Sequence, residues 1–169
     1  VTKEVLSNAK SLKAIARAGA GLDNIDKEEA KKRGLKVINS PEALTNAVAE
    51  MVIADMIALL RNLPKANKSM KEGKWLKKEL VGREVRGKTI GVIGFGAIGR
   101  RVADLCIAFG ASILAYDVVS ITDEYKKKGV VQKNLNEVLG ESDIISLHVP
   151  LVKETHHLIN SKTLSIMKP

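Results

Sequence analysis

Three glycines at a fixed spacing are the strongest chemical signal in the sequence. Gly94, Gly96 and Gly99 form the pattern G-x-G-x-x-G, which directly follows the apolar run at residues 89–94 and opens a helical pattern. In this setting the first glycine allows a tight turn, the second lets the backbone approach a pyrophosphate, and the third lets the helix pack closely on the sheet. The backbone amides of residues 95–98 are then predicted to face the phosphates of a dinucleotide, assisted by the helix N-terminus. A plain turn between a strand and a helix is the alternative role of these glycines.

An acidic residue follows the next apolar run at the distance that a ribose ligand requires. The run at residues 112–116 ends in Asp117, at about the 20-residue distance from the glycines that the pattern predicts. The carboxylate of Asp117 can accept hydrogen bonds from the ribose hydroxyls, and its negative charge would repel an additional 2′-phosphate. The sequence therefore favours NAD over NADP, with a helix cap or a surface acid as the alternative role of Asp117.

The other residues that could do chemistry do not form a recognisable catalytic or metal site. His148 falls within a predicted strand, and His156 and His157 are neighbours that lack the spacing of metal ligands. We therefore expect structural or surface roles for the histidines and predict no metal site. The single cysteine, Cys106, cannot form an internal disulfide and is predicted to fill the core, which agrees with a reducing compartment.

Alternating strand and helix patterns predict the scaffold that positions these residues. Predicted strands lie at residues 12–17, 35–39, 89–94, 112–116 and 144–149, with a weak candidate at 130–132, and predicted helices lie at residues 27–33 and after Gly96. This alternation predicts an α/β fold with a doubly wound, Rossmann-type parallel sheet. Because such sheets bind ligands at the carboxyl ends of their strands, Gly94, Asp117 and Val149 are expected at one site. Pro150 would form a rigid wall there, although an ordinary strand exit also explains Val149 and Pro150.

A long apolar helix is predicted from Ala47 to at least Leu63, before Pro64 interrupts it. Either of the two preceding polar residues, Thr45 and Asn46, could cap it. The apolar stretch is too short for a bilayer and carries two acidic residues, so no membrane partner is predicted. Since the helix is apolar nearly all round, we expect it to pack between other elements or between subunits.

The composition excludes several classes of protein. The chain has 169 residues, 45% of them apolar and 28% charged, which excludes disordered and fibrous classes. Its formal charge of +9 arises mainly between residues 61 and 88, where lysines dominate and Trp75 is the only aromatic residue. Such a run is typical of a solvated surface, so no nucleic-acid partner is predicted. No secretory pattern is visible, and we expect a cytoplasmic protein.

Four segments together resemble a known family of enzymes. They read RAGAGLDNID at 17–26, KSMKEGKW at 68–75, RGKTIGVIGFGAIGRRVA at 86–103 and HVPLVKETHHLIN at 148–160. In this order and spacing they closely resemble the D-isomer-specific 2-hydroxyacid dehydrogenases. Within the family, the DNID run after AGAG favours the members that act on D-3-phosphoglycerate over the glyoxylate and hydroxypyruvate reductases.

The resemblance implies a division of the chain into two domains. Residues 1–44 would be part of a flavodoxin-like substrate domain, and residues 45–169 would be an NAD-binding Rossmann domain that is incomplete at its C-terminus. The long helix of the cofactor domain would also build a homodimer. We accordingly expect the chain to be part of a longer polypeptide.

The resemblance also implies roles for individual residues. The loop formed by Gly19, Ala20 and Gly21 would lie in the interdomain cleft, with its amides facing the substrate carboxylate and the nicotinamide side. On the cofactor, Ala97 and Ile98 would contact the pyrophosphate, Asp117 would bind the ribose, Val149 and Pro150 would line the adenosine side, and Thr155 would form a hydrogen bond nearby.

The activity that the resemblance implies is NAD-dependent oxidation of a D-2-hydroxy acid. The expected reaction is oxidation of D-3-phosphoglycerate to 3-phosphohydroxypyruvate, the entry to serine biosynthesis. The family's catalytic Arg, acidic residue and His are expected beyond Pro169, so no catalytic residue is placed on this chain. The alternatives are a glyoxylate or hydroxypyruvate reductase and a catalytically silent NAD-binding module.

Overall fold

The chain divides into two compact units, Val1–Asn46 and Ala47–Pro169. The structure is a computed structural model that describes residues 1–169. Both units are built from parallel strands and helices, so the predicted α/β class is confirmed.

The first unit contains two parallel strands and two helices. Their bounds are α1 (Lys3–Asn8), β1 (Ala14–Arg17), α2 (Lys27–Lys32) and β2 (Lys36–Asn39). Asp26 caps helix α2, because its carboxylate accepts a hydrogen bond from the amide of Glu29 at 2.9 Å. Gly34 follows the helix with φ +65°, the left-handed conformation in which glycine commonly ends a helix. A small core of Leu6, Ala30 and Leu35 joins the helices to the strands.

The second unit is built on a four-stranded parallel sheet in the order β5-β4-β3-β6. Its strands are β3 (Thr89–Ile93), β4 (Ser112–Tyr116), β5 (Val131–Gln132) and β6 (Ile144–Leu147). Its helices are α3 (Thr45–Leu60), which starts at the end of the first unit, α4 (Leu63–Lys71), α5 (Ala97–Ala108), α6 (Asp123–Lys127), α7 (Leu135–Glu141) and α8 (Ser161–Leu164). None of the helices in either unit combines the length and apolarity needed to cross a membrane.

Two separate cores cover the two faces of this sheet, as expected of a doubly wound fold. The larger core joins Ile90 and Val92 of the central strand to α3 and α5. The smaller one joins Ile93 and Leu114 to α7. Cys106 is fully buried in the larger core, as predicted, and burial raises the pKa of its thiol to about 11. The alternation of side chains along each strand therefore gives both faces an apolar cover.

The predicted long helix is in fact two helices, so its predicted extent was wrong. Helix α3 ends at Leu60, Asn62 takes up a left-handed conformation with φ +54°, and Pro64 lies in the first turn of α4. Proline fits the first turn of a helix because the amide it lacks would have no partner there. The predicted caps are also absent: α3 begins at Thr45, so neither Thr45 nor Asn46 precedes it, and the hydroxyl of Thr45 is buried without a hydrogen-bond partner.

Helix α3 buries only one stripe, formed by Ala49, Ile53 and Met56. Its opposite side leaves Met51 62% exposed and Leu59 77% exposed. Within this chain the helix is therefore not enclosed on all sides.

Candidate cofactor site

The carboxyl ends of three neighbouring strands meet at one end of the four-stranded sheet. Gly94 follows β3, Asp117 follows β4, and Val149 follows shortly after β6. The turns are tied to one another, because the amide of Gly94 donates to the carbonyl of Tyr116 at 2.8 Å and the amide of His148 donates to the carbonyl of Ile93 at 2.7 Å. The structure thus brings together the residues that the sequence predicted at one site.

Each glycine of the motif meets a different physical requirement. Gly94 has φ +91°, and a Cβ there would lie 2.5 Å from the carbonyl oxygen of His148. A Cβ on Gly99 would overlap the carbonyl oxygen of Gly94, so this glycine lets α5 pack against the turn. Gly96 has φ −74°, and a Cβ added to it would meet no protein atom within 4 Å. The fold does not require a glycine at this position, and the open space lies at the first turn of α5, where the motif predicts a pyrophosphate.

The free amides of this turn are fewer than predicted. The amide of Phe95 donates to Oδ2 of Asp117 at 2.5 Å, so it does not face a ligand, contrary to the prediction. The amides of Gly96, Ala97 and Ile98 have no acceptor within the protein, because the first bond of the helix is donated by Arg100. Unpaired amides at the positive end of a twelve-residue helix are suited to a phosphate group. The residues present therefore fit the pyrophosphate of a dinucleotide.

Asp117 connects the glycine turn to the loop that follows β4. Besides the bond from Phe95, its Oδ1 accepts a hydrogen bond from the amide of Val119 at 2.9 Å. Both partners of the carboxylate are backbone amides. A carboxylate has about four acceptor positions, so both oxygens can still accept hydrogen bonds from ribose hydroxyls.

The segment after β6 is ordered by its own side chains. The hydroxyl of Thr155 donates to the carbonyl of Pro150 at 2.5 Å and accepts from the amide of Val152 at 3.0 Å. Thr155 thus holds this loop in shape. Its hydrogen bonds lie within the loop, and its predicted bond near the cofactor stays a prediction. Val149 packs against the smaller core.

The ring of His148 is half-buried, and its Nε2 lies 2.8 Å from the hydroxyl of Ser146. Burial lowers the pKa of His148 below its usual value, so the ring is neutral near pH 7. These contacts agree with the structural role predicted for this residue. No cluster of potential metal ligands is present in the chain.

The glycine loop of the first unit is held by side chains at the carboxyl end of β2. The amide of Gly19 donates to the hydroxyl of Ser40 at 3.2 Å, and the carbonyl of Ala20 accepts from the side chain of Asn39 at 2.7 Å. The amide of Gly19 is therefore engaged within the protein, contrary to the prediction that it faces a substrate. The amides of Ala20 and Gly21 have no acceptor within the chain.

Arg17 is a candidate site residue that the sequence reasoning did not single out. It is the last residue of β1, and its Nη1 is enclosed without a hydrogen-bond partner. Nη1 lies 3.0 Å from the position that a Cβ on Gly21 would occupy, so the guanidinium lies against the loop. The signal in the sequence was a cation at the carboxyl end of a predicted strand, immediately before a glycine-rich loop.

Comparisons with known proteins show the family to which this chain belongs. Residues 53–169 match the model of the family "D-isomer specific 2-hydroxyacid dehydrogenase, NAD binding domain". The chain is 47% identical to the hydroxypyruvate reductase of Thermotoga maritima over 99% of this chain and 54% of that protein. It is 45% identical to the D-3-phosphoglycerate dehydrogenase of Synechocystis over 100% of this chain and 30% of that protein.

A solved structure shows the same architecture. The crystal structure of D-lactate dehydrogenase from Aquifex aeolicus complexed with NAD and lactic acid matches with a TM-score of 0.91 and 42% identity, over 99% of this chain and 50% of that one. The chain thus spans about half or less of the length of these relatives. The predicted Rossmann fold and the predicted cofactor are confirmed. The chain belongs to the D-isomer-specific 2-hydroxyacid dehydrogenases, and it carries their NAD-binding domain.

Proposed function

We propose that the protein oxidises D-3-phosphoglycerate to 3-phosphohydroxypyruvate, the first step towards serine. The observation that carries this substrate is the enclosed, unpaired Nη1 of Arg17 beside the loop of Gly19, Ala20 and Gly21. An enclosed guanidinium without an acceptor is costly unless an anion pairs with it, and its planar fork matches a phosphate group. The free amides of Ala20 and Gly21 would bind the substrate carboxylate.

The chain would divide these tasks between its two units. We propose that residues 1–44 belong to the substrate domain and residues 45–169 to the cofactor domain. Within the latter, the amides of Gly96, Ala97 and Ile98 would hold the pyrophosphate and Asp117 the adenosine ribose. At the end of β6, Val149 and Pro150 would line the adenosine side, with Thr155 fixing their loop.

The reaction removes a hydride from C2 of the hydroxy acid and a proton from its hydroxyl group. NAD, when bound, accepts the hydride. We place neither the proton acceptor nor the cation that orients the 2-oxo acid on residues 1–169, and propose that both belong to the remainder of a longer protein. The site residues of this chain bind and orient the two reactants.

A reductase of hydroxypyruvate or glyoxylate is the second candidate. The observation that favours it is the 47% identity to the hydroxypyruvate reductase of Thermotoga maritima, of which the chain covers a larger share than of the phosphoglycerate dehydrogenase from Synechocystis. Such an enzyme would bind a smaller acid without a phosphate group. Arg17 would then have no phosphate group to pair with, because the carboxylate of the acid would bind the amides of Ala20 and Gly21.

The two candidates differ in how Arg17 affects activity. The test uses the longer protein that contains residues 1–169. It compares kcat/KM for D-3-phosphoglycerate and D-glycerate, from the absorbance of NADH, in the wild-type protein and in Arg17→Met. We expect the variant to lose about 100-fold with the phosphorylated substrate and to change little with D-glycerate. Lys13→Met removes an exposed cation from just before the same strand and is the matched control.

Each other outcome has a definite meaning. A higher kcat/KM for hydroxypyruvate or glyoxylate than for the phosphorylated substrate, with Arg17→Met unaffected, would establish the reductase. Binding of NADH without turnover of any of these acids would instead indicate a silent NAD-binding module.

A further inference from the structure

The side chain of Gln132 uses both of its polar ends on a single loop. Its Nε2 donates to the carbonyl of Val119 at 3.0 Å and to the carbonyl of Asp117 at 3.3 Å. Its Oε1 accepts a hydrogen bond from the amide of Ile121 at 2.9 Å. One amide group therefore fastens three alternate residues of the segment that follows β4.

This segment, residues 117–121, has little else to hold it in place. Val118 is 90% exposed and Val119 is 68% exposed, so neither is anchored in a core. Ile121 is buried and fixes the far end of the segment. At the near end, the carboxylate of Asp117 accepts two hydrogen bonds, one from the amide of Phe95 and one from the amide of Val119. Apart from the bonds of the Asp117 carboxylate itself, Gln132 provides the side-chain hydrogen bonds that fix the backbone of residues 117–121.

The strand that carries Gln132 is otherwise a weak element. Strand β5 has two residues and lies at the edge of the sheet, and its other member, Val131, is 49% exposed. Its register pairs Gln132 with Ala115, two residues before Asp117, and the amide of Lys133 continues the pairing to the carbonyl of Ala115 at 2.9 Å. The pairing therefore places the side-chain amide of Gln132 at the carboxyl end of β4, where the ribose site is expected.

We propose that Gln132 is a positioning residue that fixes Asp117 for the adenosine ribose and thereby maintains the preference for NAD over NADP. It does not touch the cofactor. It holds the backbone carbonyls on either side of Val118, so that the carboxylate of Asp117 keeps its bonds to Phe95 and Val119 and presents its free acceptor positions outward. This inference rests on the proposed assignment of Asp117 to the ribose.

Two substitutions of Gln132 separate the contribution of its side-chain donor from that of its side-chain acceptor. Gln132→Leu has a similar size and removes all three hydrogen bonds. Gln132→Glu keeps an acceptor for the amide of Ile121, so the buried end of the segment stays anchored, but it loses both donors and places a carboxylate against the carbonyl oxygens of Asp117 and Val119. The matched control is Lys133→Gln, which changes the next residue along the chain and removes only an ion pair with Glu141.

The experiment measures the dissociation constants of NADH and NADPH by nucleotide fluorescence, and the melting temperature, in each purified variant. For both Gln132 variants we expect NADH to bind about tenfold more weakly while NADPH binding changes by less than about twofold. The ratio of the NADPH dissociation constant to the NADH dissociation constant therefore falls. A ratio that stays at the wild-type value, whether both constants rise together or neither moves, overturns the proposal. Lys133→Gln should leave both constants unchanged.

Asp117→Ala in the same assay separates the failure of this inference from that of its premise. If Asp117→Ala lowers the ratio and the Gln132 variants do not, Gln132 is not a positioning residue, and the ribose assignment stands. If Asp117→Ala leaves the ratio unchanged, the ribose assignment itself is wrong, and the proposal for Gln132 fails with it.

Discussion

Gly96 and Gly99 are three residues apart in one motif and are glycines for different reasons. At Gly99 an additional carbon would clash with the carbonyl oxygen of Gly94, whereas at Gly96 it would meet no protein atom and no unfavourable φ angle. Folding therefore explains Gly99, and the approach of a ligand explains Gly96. This difference separates stability from binding at the scale of a single methyl group.

Substituting Gly96 by Ala is expected to weaken cofactor binding without destabilising the protein. The new methyl group would occupy the space beside the free amides of Ala97 and Ile98, where a phosphate would lie. We expect the dissociation constant of NADH to rise at least about tenfold, with a melting temperature within about 2 °C of wild type. Fluorescence titration with NADH and a thermal melt of the same sample check both parts.

Unlike Gly96→Ala, the substitution Gly99→Ala is expected to destabilise the protein. Its Cβ would force α5 away from the turn after β3, so we expect a loss of at least about 2 kcal/mol in the free energy of unfolding. Equal loss of stability in Gly96→Ala and Gly99→Ala would show that the space at Gly96 is structural, and the phosphate assignment would then fail.

Among the elements, β6 is followed directly by a titratable group that the cofactor site does not use. His148 lies just past this strand, with its ring against Ser146 and its carbonyl oxygen against Gly94. Burial lowers the pKa of His148 from its usual 6.5 in the folded protein. The unfolded chain takes up this proton more readily than the folded protein. The contribution of neutral His148 to the free energy of unfolding is therefore fully present above pH 6.5 and is lost as the pH falls through the lowered pKa.

We expect His148→Asn to flatten this pH dependence. In the wild-type protein the melting temperature should fall between pH 6.5 and pH 5, and the fall should be smaller in the variant because its side chain does not titrate. His156→Asn changes an exposed histidine and should keep the wild-type slope. The comparison is made by thermal melts at half-unit steps of pH. Identical slopes in the wild-type protein and His148→Asn would contradict the expectation.

The helices and strands also show how much of the fold could be predicted from the sequence. Strands β3 and β4 were predicted to within one residue because they are apolar runs ended by Gly94 and Asp117. Helices α6, α7 and α8, of four to seven residues, were not predicted, since they are too short to show a helical period. The break at Asn62 was missed because the apolar pattern of α3 continues into Leu63.

The contacts that shape the site were beyond sequence reasoning for a different reason. The bond between Asp117 and Phe95, and those from Gln132 to the segment after β4, join residues that are distant along the chain. Residue type and spacing predict which strand ends carry a ligand, but they do not show which amides are already paired within the protein. The engagement of Gly19 with Ser40 was missed in the same way.

For the molecule as a whole, several large apolar side chains between residues 51 and 81 of the second unit are exposed. We define the 51–81 surface by its six members, all at least 49% exposed: Met51, Leu59, Leu63, Met70, Trp75 and Val81. A groove of about 440 Å³ opens beside Met70, Trp75 and Val81. Large exposed apolar patches mark interaction sites in soluble proteins. The helix α3 predicted to lie between subunits contributes two of these residues.

We propose that the 51–81 surface joins two copies of the protein into a homodimer. A second copy would cover the exposed side of α3 with the same residues, since a twofold interface is self-complementary. Sedimentation of the wild-type protein at micromolar concentration should give a dimer, and Leu59→Glu, which places a charge on the 77% exposed position, should give a monomer that still binds NADH. Val131→Glu, at an exposed apolar position on β5, should remain dimeric. A monomeric wild-type protein, or a dimer that persists in both Leu59→Glu and Trp75→Glu, would show that this surface is not the subunit interface.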